Sequence, residues 1–172
     1  MNRRLDKDTL SRRTVDEITG SRRMRRNRKA DWTRRLVQEN TLTANDLIWP
    51  LFLIPGEDRS EDIDAMPGVQ RFTPDLAVRQ AEKAAELGIP AIATFPNIAR
   101  ELRDQTGSNI LAADNLINQA TRLIKKEVPE IGVITDVALD PFTSHGHDGI
   151  LRDGIIVNDE TVAQLAEAAV LQ

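Results

Sequence analysis

Apolar residues in this chain fall into three short, nearly continuous runs, each followed by a stretch where they recur every three or four positions. The runs are NDLIWPLFLI (45–54), IPAIATF (89–95) and IGVITDVAL (131–139). A compact run of this length bounded by turn residues, here Asn45-Asp46 and Pro55-Gly56, predicts a buried strand. The polar segment GEDRSEDIDAMPGVQRF after the first run reads as a loop. Thr73 at N-cap, Pro74 at N1 and Asp75 in the first turn then start a helix. Leu76, Ala77, Ala81, Ala84 and Ala85 recur along it, and Gly88 stops it. A second helix carries Leu116, Ile117, Ala120, Leu123 and Ile124 on one face, with Lys125 and Lys126 in its last turn, where they favour the helix dipole. Asn158 is the expected cap of a third, whose stripe is Val162, Leu165, Ala166 and Ala169.

Strands alternating with helices, the strands apolar throughout, predict an α/β fold: a parallel sheet with helices packed outside it. The strand starts near 47, 90 and 131 set a repeat of about 42 residues. Three such units leave one open edge and a half-covered face. Closing a barrel takes eight units and about 250 residues, so the chain reads as the first part of something larger.

Charge divides the chain further. Residues 1–35 hold 13 Lys/Arg against 5 Asp/Glu, and the remainder holds 10 against 22. A basic arm over 1–40 joined to an acidic body over 41–172 is the expected organisation. The arm could grip nucleic acid, an anionic lipid surface or the acidic body of another subunit. With one aromatic in SRRMRRNRKADWTRR and opposite charge on the same protein, self-association gains ground over nucleic acid. The absence of cysteine excludes disulfides, thiolate metal sites and a cysteine nucleophile. LIWPLFLIPG is too short to span a bilayer. The early acids Asp6, Asp8, Asp16 and Glu17 argue against a transit peptide, which leaves the cytoplasm as the expected compartment.

Candidate chemistry concentrates in DVALDPFTSHGHDG (136–149), which holds both histidines and three carboxylates. In parallel α/β sheets the chemistry gathers at the C-terminal ends of strands. If the third strand runs through Leu139, then 136, 138 and 140 share a face, and Ala138 leaves room between Asp136 and Asp140. Asp148 can fold back across Gly146 and Gly149. Two other readings stay open: a polar loop with both histidines in solvent, or a metal-dependent hydrolase using His145 and His147.

The same stretch, DVALDPFTSHGHDGIL followed by VNDETV, resembles the signature region of the delta-aminolevulinic acid dehydratase (porphobilinogen synthase) family. The likeness runs back through IDAMPGVQRF (63–72), NTLTANDLIWPLFL (40–53) and the basic arm, and covers roughly the family's N-terminal half. It implies the first three βα units of a TIM (β/α)8 barrel. It also implies a lyase that condenses two 5-aminolevulinate molecules into porphobilinogen in tetrapyrrole and heme biosynthesis. An arm wrapping a neighbour in a homo-octamer follows from it, with no nucleic acid or membrane partner. Zinc-type members carry cysteines where this chain has Ala138, Asp140 and Asp148, so the resemblance implies a zinc-independent loop. There Asp136, Asp140 and Asp148 orient substrate and water or assist proton transfer. No cofactor is expected in this stretch, and Mg²⁺ is expected only as an allosteric ion of the full-length enzyme. The family's Schiff-base lysines lie on later strands, whereas Lys7, Lys29, Lys83, Lys125 and Lys126 all fall outside the apolar runs. The chain alone is therefore expected to be an inactive fragment. FPNIARELRDQTGS (95–108) departs from the family's lysine-rich form and reads as a variable surface loop.

Overall fold

The structure, a computed structural model, describes residues 25–172. The chain divides into two compact units, Met1–Thr41 and Leu42–Gln172. Most of the predicted basic arm lies outside the described residues. In the described part of the first unit, α1 (Arg26–Lys29) and α2 (Asp31–Leu36) are two short helices. Asp31 pairs with Arg35 at 3.0 Å and Arg34 at 3.4 Å, an arrangement that helical spacing permits and that solvent leaves weak.

The second unit is built on a five-stranded sheet. Its strands are β1 (Ile48–Leu53), β2 (Ser60–Asp62), β3 (Gln70–Phe72), β4 (Ala91–Pro96) and β5 (Gly132–Thr135), in the order β2-β3-β1-β4-β5. β1, β4 and β5 are parallel and in sequential order, as the apolar runs predict. Between them run α3 (Pro74–Glu86) and α4 (Leu116–Glu127), both on one side of the sheet. The segment expected to be a loop instead contributes β2 and β3, which pair antiparallel with each other, while β3 pairs parallel with β1. SED and QRF are too short and polar to announce strands. They are held by Ile54 N donating to Phe72 O at 2.9 Å and Thr73 N donating to Arg59 O at 3.0 Å.

The registers put alternate residues on opposite faces. Leu51, Leu53 and Ile92 lie under the helices and are buried with Ala77, Ala81, Ile117, Ala120 and Ile124. The other face carries Ile48, Phe52, Ala93, Phe95 and Ile134, with Ile48 55% and Ile134 46% exposed. β1 is therefore covered on one face only, not buried throughout as its composition suggests. Pro50 has no N–H to offer, and it sits where β1 is paired only with β4, because β3 reaches no further than Phe52.

The ends of α3 fall where the sequence signals put them. α3 closes in a Schellman motif, with Gly88 at φ 75° donating to Ala85 O and Ile89 N to Ala84 O, both at 2.9 Å. Asn115 caps α4 by accepting from Asn118 N at 2.9 Å. Thr73 occupies the N-cap of α3, but its hydroxyl donates to Arg59 O at 3.2 Å.

A last helix, α5 (Asn158–Leu171), follows a two-stranded ribbon of β6 (Leu151–Arg152) and β7 (Ile155–Ile156). Here the prediction fails in detail. Val157, not Asn158, is the cap, and the buried positions are Thr161 and Ala168, while Val162 is 57% exposed. The helix is alanine-rich on several faces, so hydrophobic spacing alone does not choose one. The choice is made by Thr161, whose hydroxyl accepts from Ile150 N at 3.0 Å and donates to Val157 O at 2.7 Å.

Candidate active site

β5 ends at Thr135, four residues short of the predicted end. Asp136, Ala138 and Asp140 therefore do not share a strand face, and Ala138 is buried instead of opening space between carboxylates. Leu139 and Phe142, both fully buried, pull the chain inward and turn it: Phe142 N and Thr143 N each donate to Leu139 O at 2.9 Å. This buried anchoring ends the strand early. Asp136 is the first residue past the strand and two beyond Ile134 of the open face, so the cluster stands at the C-terminal end of β5.

The three predicted aspartates lie close enough for Asp148 and Asp136 to act on Asp140 through their charge. Asp148 folds back, as expected, so that its Oδ1 accepts from Leu139 N at 2.6 Å. Thr143 Oγ1 donates to His147 O at 2.9 Å and holds the returning chain. Asp140 has its carboxyl pushed above the usual carboxylate range, first by desolvation, then by the negative charges of Asp148 and Asp136, against an opposing pull from Arg103. Desolvation and like charge both disfavour the ionised form of Asp140, the direction that suits a carboxyl to proton transfer.

The histidines take a different role from the metal ligands weighed above. His145 Nδ1 accepts from His147 N at 3.1 Å, which leaves Nε2 to donate to Gln105 O at 3.0 Å. Both ring nitrogens are thereby committed, and no lone pair is free for a metal. Among the described residues no group of three or more His, Asp or Glu is arranged to hold a metal ion. The lysines of the second unit are engaged elsewhere. Lys83 lies over the Trp49 ring at 5.8 Å, Lys125 donates to Pro129 O and Ile131 O, and Lys126 pairs with Glu127.

A further group of residues escaped the sequence reading. RDQTGS (103–108), expected to be a variable surface loop, packs on the aspartate loop. Asp104 N donates to Phe142 O at 3.2 Å, and Ser144 N donates to Asp104 O at 2.7 Å. The Asp104 carboxylate accepts from Thr106 N at 2.8 Å, Thr106 Oγ1 at 3.0 Å, Ser108 N at 3.1 Å and the Ser108 hydroxyl. Partial burial opposes its ionisation, but these donors outweigh it and hold the pKa at about 2. Asp, Thr and Ser at alternate positions, with a glycine between the last two, is a side-chain-to-backbone turn signal that could have revealed it. Beside it, Arg103 donates to Ile98 O at 2.7 Å and Asn97 Oδ1 at 3.2 Å, past the end of β4. A cleft of about 600 Å³ lies next to the loop, lined by Gln105, Ser144, His145 and Leu151–Gly154, but by none of Asp136, Asp140 and Asp148.

The fold and the sequence have counterparts among known proteins. The family model described as delta-aminolevulinic acid dehydratase matches residues 21–172. The chain belongs to the delta-aminolevulinic acid dehydratase family. Over 150 residues it is 61% identical to the delta-aminolevulinic acid dehydratase of Bradyrhizobium diazoefficiens, covering 87% of this chain and 42% of that protein. The Rhodobacter capsulatus dehydratase is 40% identical over 152 residues, 87% of this chain and 45% of its own length. A crystal structure of the Toxoplasma gondii delta-aminolevulinic acid dehydratase (porphobilinogen synthase), in complex with the reaction product porphobilinogen, superposes with a TM-score of 0.81 at 38% identity. It matches 87% of this chain and 43% of its own. The chain thus spans under half the length of these dehydratases, and its α/β architecture is that of the first βα units of their barrel.

Proposed function

We propose that this chain carries the aspartate-bearing part of a porphobilinogen synthase. Such a lyase condenses two 5-aminolevulinate molecules into porphobilinogen, with loss of water, in tetrapyrrole and heme biosynthesis. The observation that carries the reading is the convergence of Asp136, Asp140 and Asp148 past the C-terminal end of β5, in a chain that matches the family over residues 21–172. Asp140, whose charged form is disfavoured by desolvation and by its two neighbours, is the proton carrier. Asp148, tied to Leu139 N, orients water or substrate, and Asp148 and Asp136 add to the desolvation that disfavours the charged form of Asp140. The Schiff-base amines would come from the part of the family's length that this chain does not span, so the chain alone is expected to be inactive.

The reading dispenses with zinc, since carboxylates replace the thiolates of zinc-type members at 140 and 148 and alanine replaces the third at 138. No step runs through a metal at the aspartate loop, where His145 and Asp148 are already engaged. Mg²⁺ is retained as an allosteric ion of the full-length protein, bound away from these residues. A homo-octamer assembled through the basic arm, in the cytoplasm and without nucleic acid, completes the proposal.

The test is a chimera in which this chain replaces the matching segment of the Bradyrhizobium diazoefficiens relative. Porphobilinogen should form from 5-aminolevulinate, and Asp140→Ala should lower kcat by roughly 100-fold, in the range of a lost acid–base group. A folded chimera that makes no product would overturn the reading.

A further inference from the structure

The aspartate loop does not hold itself in place. Its buried anchors, Leu139, Phe142 and Thr143, rest against the turn at 104–108, which is separated from them by more than thirty residues of chain. Three kinds of contact join the two. The backbone of Asp104 makes paired bonds with Phe142 O and Ser144 N. Gln105 O takes the Nε2 proton of His145. Gly107, at φ 67°, lies so close that a Cβ there would sit 3.1 Å from Leu139 Cδ2 and 3.3 Å from Thr143 Cγ2. The turn keeps its shape because one carboxylate accepts all of Thr106 N, Thr106 Oγ1, Ser108 N and Ser108 Oγ. On the far side, Gln164 of α5 donates to Thr106 O at 2.8 Å and closes the stack.

We propose that Asp104 is a positioning residue for the aspartate cluster: it folds the 104–108 turn into a brace whose backbone sets where Asp140 and Asp148 stand. Asp104 touches no substrate in this scheme and acts through Phe142, Ser144 and His145. The proposal rests on the functional reading only for its consequence in catalysis.

Imidazole nitrogen NMR of the whole chain tests it, since the brace fixes His145 as its Nε2–H tautomer. In Asp104→Ala, which loses all four acceptor bonds, the two ring-nitrogen signals of His145 should move towards averaged tautomers at temperatures where circular dichroism still reports a folded protein. Asp104→Asn keeps one carbonyl-type oxygen and should restore most of the wild-type pattern. Should Asp104→Ala fail to fold, Gly107→Ala decides, because it leaves Asp104 intact but presses on Leu139 and Thr143, and it should perturb the same signals. Unchanged His145 signals in a folded Asp104→Ala, or in Gly107→Ala where the former does not fold, would overturn the proposal. If the signals respond as expected while the chimera makes no porphobilinogen, the functional reading fails and the brace stands.

Discussion

The two faces of the sheet are made from similar residues and live in opposite surroundings. On the helix side Leu51, Leu53 and Ile92 are at most 2% exposed, whereas on the other side Ile48 and Ile134 remain about half in water. Phe52 and Phe95 there pack ring against ring, with centroids 5.8 Å apart. Burial against α3 and α4 supplies the cohesion of the unit. The open face supplies little, yet it is the face on whose continuation Asp136 lies. Stability is thus assigned to one side of the three strands and the proposed chemistry to the other, as in sheets whose sites sit at strand ends.

That contrast can be broken most sharply by matched truncations. Ile92→Ala should cost about 2–5 kcal/mol in urea unfolding, whereas Ile134→Ala should cost under about 1 kcal/mol. Equal losses would mean the open face carries as much of the fold as the covered one. Removal of the Asp104 charge comes next. Its carboxyl is held low in the folded chain, so its contribution is present above the ordinary value near 3.8 and is lost as pH falls through about 2. Asp104→Asn should therefore be destabilised at neutral pH by about 1–2 kcal/mol, less than the full shift because water screens the site, with the gap to wild type closing by pH 2. Asp140 has the opposite sign. A raised carboxyl pKa contributes stability below the unfolded value that is lost as pH rises through the folded one. Asp140→Asn should accordingly raise the melting temperature slightly at pH 7 and lose that gain in acid. The smallest effect belongs to Lys83→Met, which removes the cation over Trp49 and should change stability by about 0.5 kcal/mol or less.

How far the chain announced its structure depended on the kind of signal. The C-terminal end of α3 was plain because a single residue does the work: Gly88 acts through its own backbone geometry. The order of β1, β4 and β5 followed from apolar runs, which only a helix-covered sheet can bury. β2 and β3 were hidden because they are three residues long and polar, and take their place from pairing with each other and with β1. The face of α5 was hidden for a related reason, since a hydroxyl bond to Ile150, not hydrophobic spacing, selects it. In the site, the aspartates stood out as acids beside an apolar run, and the return of Asp148 was foreseeable from its flanking glycines. The early end of β5 and the brace at Asp104 were not, because both depend on Leu139 and Phe142 finding a pocket that only the folded chain contains.

Pro50 carries a consequence for self-association. An incoming strand cannot add a regular ladder along the part of β1 that β3 leaves bare, because the ring offers no donor and obstructs close approach. Among the described strands, β5 has no such gatekeeper on its outer side: Gly132–Thr135 contains neither proline nor charge. Fibril-like stacking of this chain would accordingly start from the β5 rim and be deflected from the β1 rim.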